Sequence, residues 1–324
     1  MIFYVYMSPD VVEDANEGGP YALDSLIGIL QGFLQNCFIA EFEDDRFQRA
    51  FYSNVSQLPA SNARKKILTL FGQLKNRHHF ISCLAPNYFG VDDDLSCAIK
   101  QAEDVLLDLL LIATKENFQP VTLKTEVAML DNYNQSNFAS SRSILAQKGK
   151  TLKPNQLGQS ELLDKIFKKA LMYASRIEIC DRIFGRKFGD NFEYSFVTMF
   201  RWLEKNVADP VRLEKIIIHC EKPPGYGDDN MKVKLSPIKS GRFSKIIIEI
   251  RFYNKDSQFE GDPLPHDRYL MTDQVAFDIG RGMDFLSKRT RGNRDISINY
   301  KDPDEISALI GEYRQYNTSV PVVL

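Results

Sequence analysis

The sequence of 324 residues has few cysteines, no long apolar run and almost no excess of one charge. Its five cysteines are widely spaced and odd in number, and no C-x-x-C pair or His/Cys cluster suggests a zinc site. We therefore expect reduced thiols in the core, which is typical of a cytoplasmic protein. The longest apolar run, VLLDLLLIA at 105–113, falls well short of the ~20 residues that a membrane span needs. The opening MIFYVYM is too short for a signal peptide, so we predict no transmembrane segment and a first strand.

Basic and acidic residues nearly balance each other, with 41 basic and 43 acidic residues and a net charge of -2. This balance excludes a generally basic nucleic-acid coat, so any anion site must be a local patch. The hydrophobic content of 44% and the charged content of 26% are those of a globular protein. Disordered, collagen-like and coiled-coil classes are excluded by that composition.

The length favours two domains, and the first half alternates strand-like and helix-like segments. Strands are predicted at 3–7, 37–42 and 79–84. Helices are predicted at 23–34, 64–76 and about 94–116. This order predicts an open α/β sheet domain over residues 1–133, with a parallel sheet flanked by helices.

Residues 134–160 are rich in Asn, Gln, Ser, Gly and Lys, which favours a linker or mobile loop. The remainder, 161–324, opens with a helix and then shows β-branched, alternating segments typical of strands. We therefore predict an α/β protein whose C-terminal domain is mixed α/β.

One segment of that second domain, LPHDRYLMTDQVAFDIGRGMDF at 264–285, concentrates polar chemistry. His266 and Arg268 are two positions apart, so on a strand they project from the same face. Arginine offers a planar fork for phosphate oxygens, and histidine can act as a nucleophile or an acid/base. Asp273 lies an odd number of positions away, and we expect it to orient a second histidine or to stabilise the loop.

The spacing H-x-R-x4-D-x6-G resembles one copy of the phospholipase-D-type motif, H-x-K-x4-D, with Arg268 at the lysine position. Over about 160–310 the chain also resembles the phospholipase-D-like C-terminal domain of eukaryotic MIT-domain proteins. In those proteins an HDR segment leads through an apolar strand to GRG-hydrophobic-D-aromatic, which 280–285 match here. The resemblance implies a phospholipase-D-like fold for residues 161–324.

The two groups of relatives imply different activities. In the enzymes, which include small nucleases, two such motifs meet, so a chain with one copy needs a homodimer, and no cofactor is required. This reading makes His266, Arg268 and Asp273 catalytic. The MIT-protein relatives are instead non-catalytic and bind anionic lipid head groups or protein partners. In both readings the phosphate contacts extend to a set of glycines and arginines: Gly280, Arg281, Gly282, Arg289 and Arg291.

Two plainer interpretations of these polar residues stay open. His266 and Arg268 can brace a local turn by pairing with Asp267, Asp273 or Asp284. His219 is a second histidine in principle, but it ends the apolar strand IIIHC, where a satisfied core histidine is the more frequent case.

Carboxylates of the first domain form a separate candidate site. Strand ends in an open α/β sheet converge on one edge, where three or four carboxylates can hold Mg²⁺ or Mn²⁺ and activate water. The candidate ligands are Asp10, Glu41, Asp104 and Asp108. Their placement and the element order are loosely similar to the PIN-type nuclease fold. A solvated turn, a helix cap and a water-facing helix are the alternative explanations.

We therefore expect a protein that engages phosphodiesters, with nucleic acid as the partner. The resemblance and the way such domains occur in fusions favour a nuclease or a nucleic-acid-binding component of a bacterial antiphage defence system. The alternative is a non-enzymatic module that binds anionic lipid head groups or a protein partner. A substitution of His266 separates catalysis by that residue from binding alone.

Overall fold

The computed structural model divides the chain into two compact units, 1–148 and 149–324. The residues it describes are 2–43, 45–83, 94–116, 118, 124–145, 150–152, 159–184, 191–207, 213–221, 233, 236, 244–253, 264–280, 282, 286, 295–316 and 321–323. No helix within these ranges combines the length and the apolar character needed to cross a membrane.

The first unit contains a five-stranded parallel sheet in the order β3-β2-β1-β4-β5. The strands are β1 (Phe3–Met7), β2 (Cys37–Glu41), β3 (Phe80–Ser82), β4 (Leu109–Ile112) and β5 (Glu126–Met129). Every position of β1, β2 and β4 is buried, as expected for a sheet that is covered on both faces. The prediction of a parallel α/β sheet is therefore confirmed.

Helices connect these strands. They are α1 (Val11–Glu17), α2 (Gly19–Asn36), α3 (Arg46–Gln57), α4 (Asn62–Asn76), α5 (Asp94–Gln101) and α6 (Asn137–Leu145). The start of α4 is fixed by Ser61, whose hydroxyl accepts the backbone N–H of Arg64. A 3₁₀ turn, Tyr133–Gln135, precedes α6.

The predicted single helix at 94–116 is wrong. The helix ends at Gln101, and the apolar run after it forms β4 between β1 and β5. A central parallel strand is apolar on both faces, so its sequence lacks the alternation that marks a half-buried strand.

Two glycines of α2 differ in what surrounds them, and this difference gives a stability prediction. A Cβ at Gly28 meets nothing within 4 Å, whereas a Cβ at Gly32 lies 2.5 Å from Nη2 of Arg142. We expect Gly28→Ala to raise the free energy of unfolding by about 0.5–1 kcal/mol, because alanine favours the helix. The free energy of unfolding of Gly32→Ala should be about 1–2 kcal/mol lower than that of Gly28→Ala, because Arg142 must leave its hydrogen bond to the Gly32 carbonyl. Urea unfolding followed by circular dichroism measures both, and equal stabilities would contradict the assignment.

The second unit contains an eight-stranded mixed sheet in the order β13-β9-β8-β7-β10-β11-β12-β6. The strands are β6 (Lys150–Leu152), β7 (Arg176–Cys180), β8 (Lys215–Glu221), β9 (Ile247–Tyr253), β10 (Tyr269–Thr272), β11 (Ala276–Ile279), β12 (Ile296–Lys301) and β13 (Pro321–Val323). Strands β7, β8 and β9 are parallel, and the other pairings are antiparallel. The mixed α/β class predicted for this half of the chain is confirmed.

Within the described residues the helices of the second unit are α7 (Gln159–Leu162), α8 (Lys168–Met172), α9 (Asn191–Asn206) and α10 (Pro303–Tyr316), with a π-helical turn, Leu163–Phe167, between α7 and α8. Helix α10 packs Ile306 and Ile310 against a cluster that includes Tyr269, Met271 and Ala276 of the sheet.

The segment 134–160, predicted as a linker, contains regular structure wherever it is described. Helix α6 belongs to the first unit, since Phe138 lies in its core. Strand β6 pairs with β12 in the second unit. The division between units falls at 148/149, inside the segment 134–160.

Candidate functional site

The HDR segment lies immediately before β10, at the sheet edge where β7 ends. Strand β10 runs antiparallel to β7, and Tyr269 pairs with Cys180 at their shared end. The residue that follows β7 is Asp181, and the residue that follows β11 is Gly280. Sheet pairing therefore brings Arg268, Asp181 and Gly280 together, although they are far apart in sequence.

Arg268 is held in place by two groups of this edge. Its Nη1 donates a hydrogen bond of 3.0 Å to the carbonyl oxygen of Gly280, and its Nε lies 3.5 Å from Oδ1 of Asp181. The Asp181 side chain is fully buried and also accepts the backbone N–H of Ile183 at 3.0 Å. The guanidinium is consequently a fixed cation, and a buried carboxylate balances its charge.

The glycines of the GRG turn are required by close packing. Gly282 has a φ of 60°, and a Cβ there would overlap the Asp181 carboxylate and Cδ of Arg268. A Cβ at Gly280 would lie 2.5 Å from Oγ of Ser297. The N–H of Gly280 donates to the Ser297 carbonyl oxygen, so it is not available to a phosphate.

His266 is exposed, and the described part of the chain provides it with no hydrogen-bond or ion-pair partner. Acidic side chains lie near it in sequence or across the sheet. Burial, followed by the charge of Asp267, raises the pKa of the Asp278 carboxyl. Burial is also the main reason that the pKa of Tyr269 rises to about 12, and Asp267 and Asp278 add to that rise. The surface around His266 therefore contains acids as well as the Arg268 cation.

Asp273 lies at the other end of β10. Its carboxylate accepts the backbone N–H of Ser175 at 3.1 Å and so fixes the turn that precedes β7. It is five residues from Arg268, with β10 between them, which corresponds to about 16 Å of extended chain. Within one chain Asp273 therefore stabilises a loop and does not orient His266.

Three further residues of the predicted phosphate site, Arg281, Arg289 and Arg291, lie outside the described residues, as does Asp284.

The remaining histidine of the second unit is part of a buried polar network. His219 is fully buried, with its Nδ1 2.9 Å from the Tyr253 hydroxyl and its Nε2 3.0 Å from Oε2 of Glu178. Arg176 forms an ion pair with Glu178. Both ring nitrogens of His219 have partners, so it is a satisfied core histidine in this arrangement.

The four carboxylates predicted to bind a metal do not form one site. Asp10 follows β1 and Glu41 ends β2, so both lie at the carboxyl edge of the parallel sheet. Asp104 and Asp108 precede β4, and Asp108 accepts the N–H of Tyr4 at 2.8 Å at the amino edge. The two pairs of carboxylates are separated because the helix ends at Gln101 and residues 109–112 form β4. Among the described residues, no three His, Cys, Asp or Glu side chains are grouped to hold a metal ion.

A cluster that the sequence did not indicate occupies the carboxyl edge between β1 and β4. Ser8 donates to Oε1 of Glu116 at 3.0 Å, and the N–H of Ala113 donates to Oε2 of Glu116 at 2.7 Å. Lys115 bridges Asp10 at 3.2 Å and Glu13 at 2.5 Å. Ligands of open α/β sheets bind at this kind of position. Here the polar groups already satisfy one another, and only the correct placement of β4 would have revealed them.

Glu116 gives this cluster a pH dependence. Burial raises the pKa of its carboxyl, against the lowering effect of the Ala113 N–H and the Ser8 hydroxyl. Its stabilising contribution is therefore complete below the unfolded-state pKa and is lost as pH rises through the folded-state value. We expect Glu116→Gln to gain stability relative to the wild type as pH rises from 4 to 7. Urea unfolding across this range measures the difference, and parallel profiles would contradict the expectation.

Comparison with protein-family models finds none that matches the chain, and no curated protein matches it significantly.

Proposed function

We propose that the second unit binds a phosphodiester at the surface beside His266, with nucleic acid as the ligand, and that it holds this group without cleaving it. The observation that supports the proposal is the fixed Arg268 guanidinium, two residues from an exposed imidazole that has no partner among the described residues.

Arg268 retains donors for a ligand. A guanidinium has five N–H groups, and the contacts with Gly280 and Asp181 engage only part of them. The side chain is 20% exposed, so its free edge reaches solvent. Because the guanidinium is already held in place, binding loses little side-chain entropy.

The charges around the site favour a phosphodiester over a phosphomonoester. Asp181 neutralises Arg268, and Asp267 and Asp278 add negative charge nearby. A phosphodiester has one negative charge, whereas a phosphomonoester has close to two at neutral pH. The singly charged phosphodiester is therefore repelled less by these carboxylates than a phosphomonoester would be.

The same geometry favours binding over turnover. A catalytic histidine is normally oriented by a second group, and Asp273 is occupied at the far end of β10. In the enzymes that the motif resembles, a second motif completes the site, and a homodimer would have to supply it. Nuclease activity and a role in antiphage defence remain predictions of that resemblance.

The proposal predicts binding of DNA or RNA oligonucleotides that depends on His266. We expect His266→Ala to weaken binding about 3–10-fold at low salt, because it removes one hydrogen-bonding contact of about 1 kcal/mol. The matched control is Lys245→Ala, which removes an exposed cation just before β9, at the opposite edge of the sheet. Fluorescence anisotropy with single- and double-stranded oligonucleotides measures both variants.

Three outcomes would count against the proposal. Absence of binding at about 50 mM salt, or equal losses in the two variants, would remove the site from consideration. Cleavage of the oligonucleotide by the wild type but not by His266→Ala would show turnover and overturn the binding-only role. Binding to anionic lipid vesicles but not to oligonucleotides would replace nucleic acid by a lipid head group.

A further inference from the structure

A cavity of about 470 Å³ lies in the first unit, between the middle of α2 and the segment from the 3₁₀ turn into α6. Its volume falls in the range of small-molecule sites. The side chains that matter here are Asp24 and Ser25 of α2, Tyr133 and Asn134 of the turn, and Arg142 of α6.

Two hydrogen-bond donors beside this cavity have no acceptor among the described residues. Tyr133 is only 2% exposed, and its hydroxyl proton has no acceptor. Nε of Arg142 is also buried without a partner. Buried donors in native proteins are nearly always paired, so two neighbouring orphans require an explanation. The Arg142 guanidinium lies within hydrogen-bonding reach of the Tyr133 oxygen, so the groups left without an acceptor are the phenolic proton and the Nε–H of Arg142.

The position of Arg142 is built into the helix packing. Its Nη1 donates a hydrogen bond of 2.9 Å to the carbonyl oxygen of Gly32, and the guanidinium lies so close to Gly32 that a Cβ would be 2.5 Å from Nη2. Burial raises the pKa of Tyr133 to about 12, against the lowering effects of the Arg142 charge and of a side-chain hydrogen bond with Arg142. The phenol therefore keeps its proton at neutral pH and remains a donor.

We propose that this cavity binds a small organic anion, whose carboxylate or phosphate oxygens accept hydrogen bonds from Nε of Arg142 and from the Tyr133 hydroxyl. The Asp24 carboxylate at the rim accepts an amine or hydroxyl of the same ligand. The two donor atoms have almost no surface exposed to water, so binding requires side chains that line the cavity to rearrange. The site is distinct from the surface beside His266, which belongs to the other unit.

The direct test uses the full chain and three probes: inorganic phosphate, adenosine monophosphate and glutamate. We expect at least one of them to bind with a Kd below about 1 mM by calorimetry, an affinity that corresponds to 4.1 kcal/mol. The phosphate and carboxylate probes distinguish the two sources of the anionic group. No binding of any probe at 10 mM would overturn the proposal.

Tyr133→Phe separates a ligand site from a packing defect. We expect the variant to be at least as stable as the wild type without ligand, because it removes an orphan hydroxyl, and to bind the successful probe about 5–10-fold more weakly. Tyr21→Phe is the matched control, since Tyr21 is 90% exposed on the same helix. Unchanged probe affinity in Tyr133→Phe would show that the hydroxyl is not part of a site.

A steric variant provides an independent measurement. Gly28 lines the cavity and has open space at its Cβ position, so Gly28→Leu should fill the cavity and reduce probe binding at least tenfold without loss of stability. Gly72→Leu in α4 is the control, because its Cβ position is also open but distant from the cavity lining. Probe binding that survives Gly28→Leu but is lost in His266→Ala would assign the anion to the second unit and overturn this proposal. Oligonucleotide binding should be the same in Tyr133→Phe and the wild type, so the two proposals fail independently.

Discussion

Replacing Gly282 with alanine is expected to lower the free energy of unfolding of the second unit by about 2–5 kcal/mol. The φ of 60° lies in the left-handed region, where a side chain adds about 1–2 kcal/mol of strain. The new Cβ would also overlap the Asp181 carboxylate and Cδ of Arg268. Asp181 cannot move aside easily, because it is fully buried and accepts the N–H of Ile183. Overpacking of such a site adds about 1–3 kcal/mol.

The loss can be measured in the second unit alone. The only tryptophan of the chain, Trp202, is buried in α9, with its Nε1 donating to Asp164 at 2.8 Å, so its fluorescence reports on this unit. Gly311→Ala in α10 is the control, since a Cβ there meets nothing within 4 Å and alanine favours the helix. If urea unfolding gave the two alanine variants the same stability, the requirement for glycine at position 282 would be refuted.

The same substitution also tests whether Gly282 keeps Arg268 in position at the candidate site. Arg268 is positioned by Asp181 and by the carbonyl of Gly280. Gly282 packs closely against the side chains of Asp181 and Arg268. A Cβ at 282 displaces the guanidinium from the edge where we place the phosphodiester. Oligonucleotide binding should therefore weaken in Gly282→Ala under conditions in which the unit is still folded.

The sequence predicted most strands of the second unit because their patterns are local. Segments such as RIEIC and IIIHCE contain β-branched residues in runs of strand length. The apolar run at 105–113 misled the prediction in the first unit, because a fully buried strand and a buried helix look alike without periodicity. Its correct assignment depends on β1 and β5 lying on either side, which is tertiary information.

The candidate site shows the same division between local and distant information. The alternation argument placed His266 and Arg268 on a strand, but both lie before β10, which begins at Tyr269. The partner of Arg268 was not predicted. Asp181 follows β7 and reaches Arg268 only because β10 pairs with that strand. An aspartate directly after an apolar strand is too frequent a pattern to indicate such a pairing. Sheet order, and not residue spacing, determines which charges meet.

The buried network of the second unit leads to the other large effect. His219→Leu is expected to cost about 2–4 kcal/mol, because it leaves the Tyr253 hydroxyl and the Glu178 carboxylate without one of their partners. Glu178→Leu should cost a similar amount, because it removes the acceptor of a fully buried imidazole. Trp202 fluorescence during urea unfolding measures both variants.

The double substitution Glu178→Leu/His219→Leu should cost much less than the sum of the single changes, because no charge and no ring nitrogen of this pair is then left buried without a partner. We expect a coupling energy of about 1.5–3 kcal/mol. The control cycle uses Lys165 and Glu161, whose side chains are more than half exposed and whose ion pair spans 3.2 Å along one helical segment. Exposed pairs of this kind couple by about 0.3–0.5 kcal/mol. If the two cycles gave the same small coupling, the buried contact between His219 and Glu178 would not be a determinant of this fold. A large coupling would show that the central strands β7 and β8 depend on a polar contact at positions where a parallel sheet normally places aliphatic side chains.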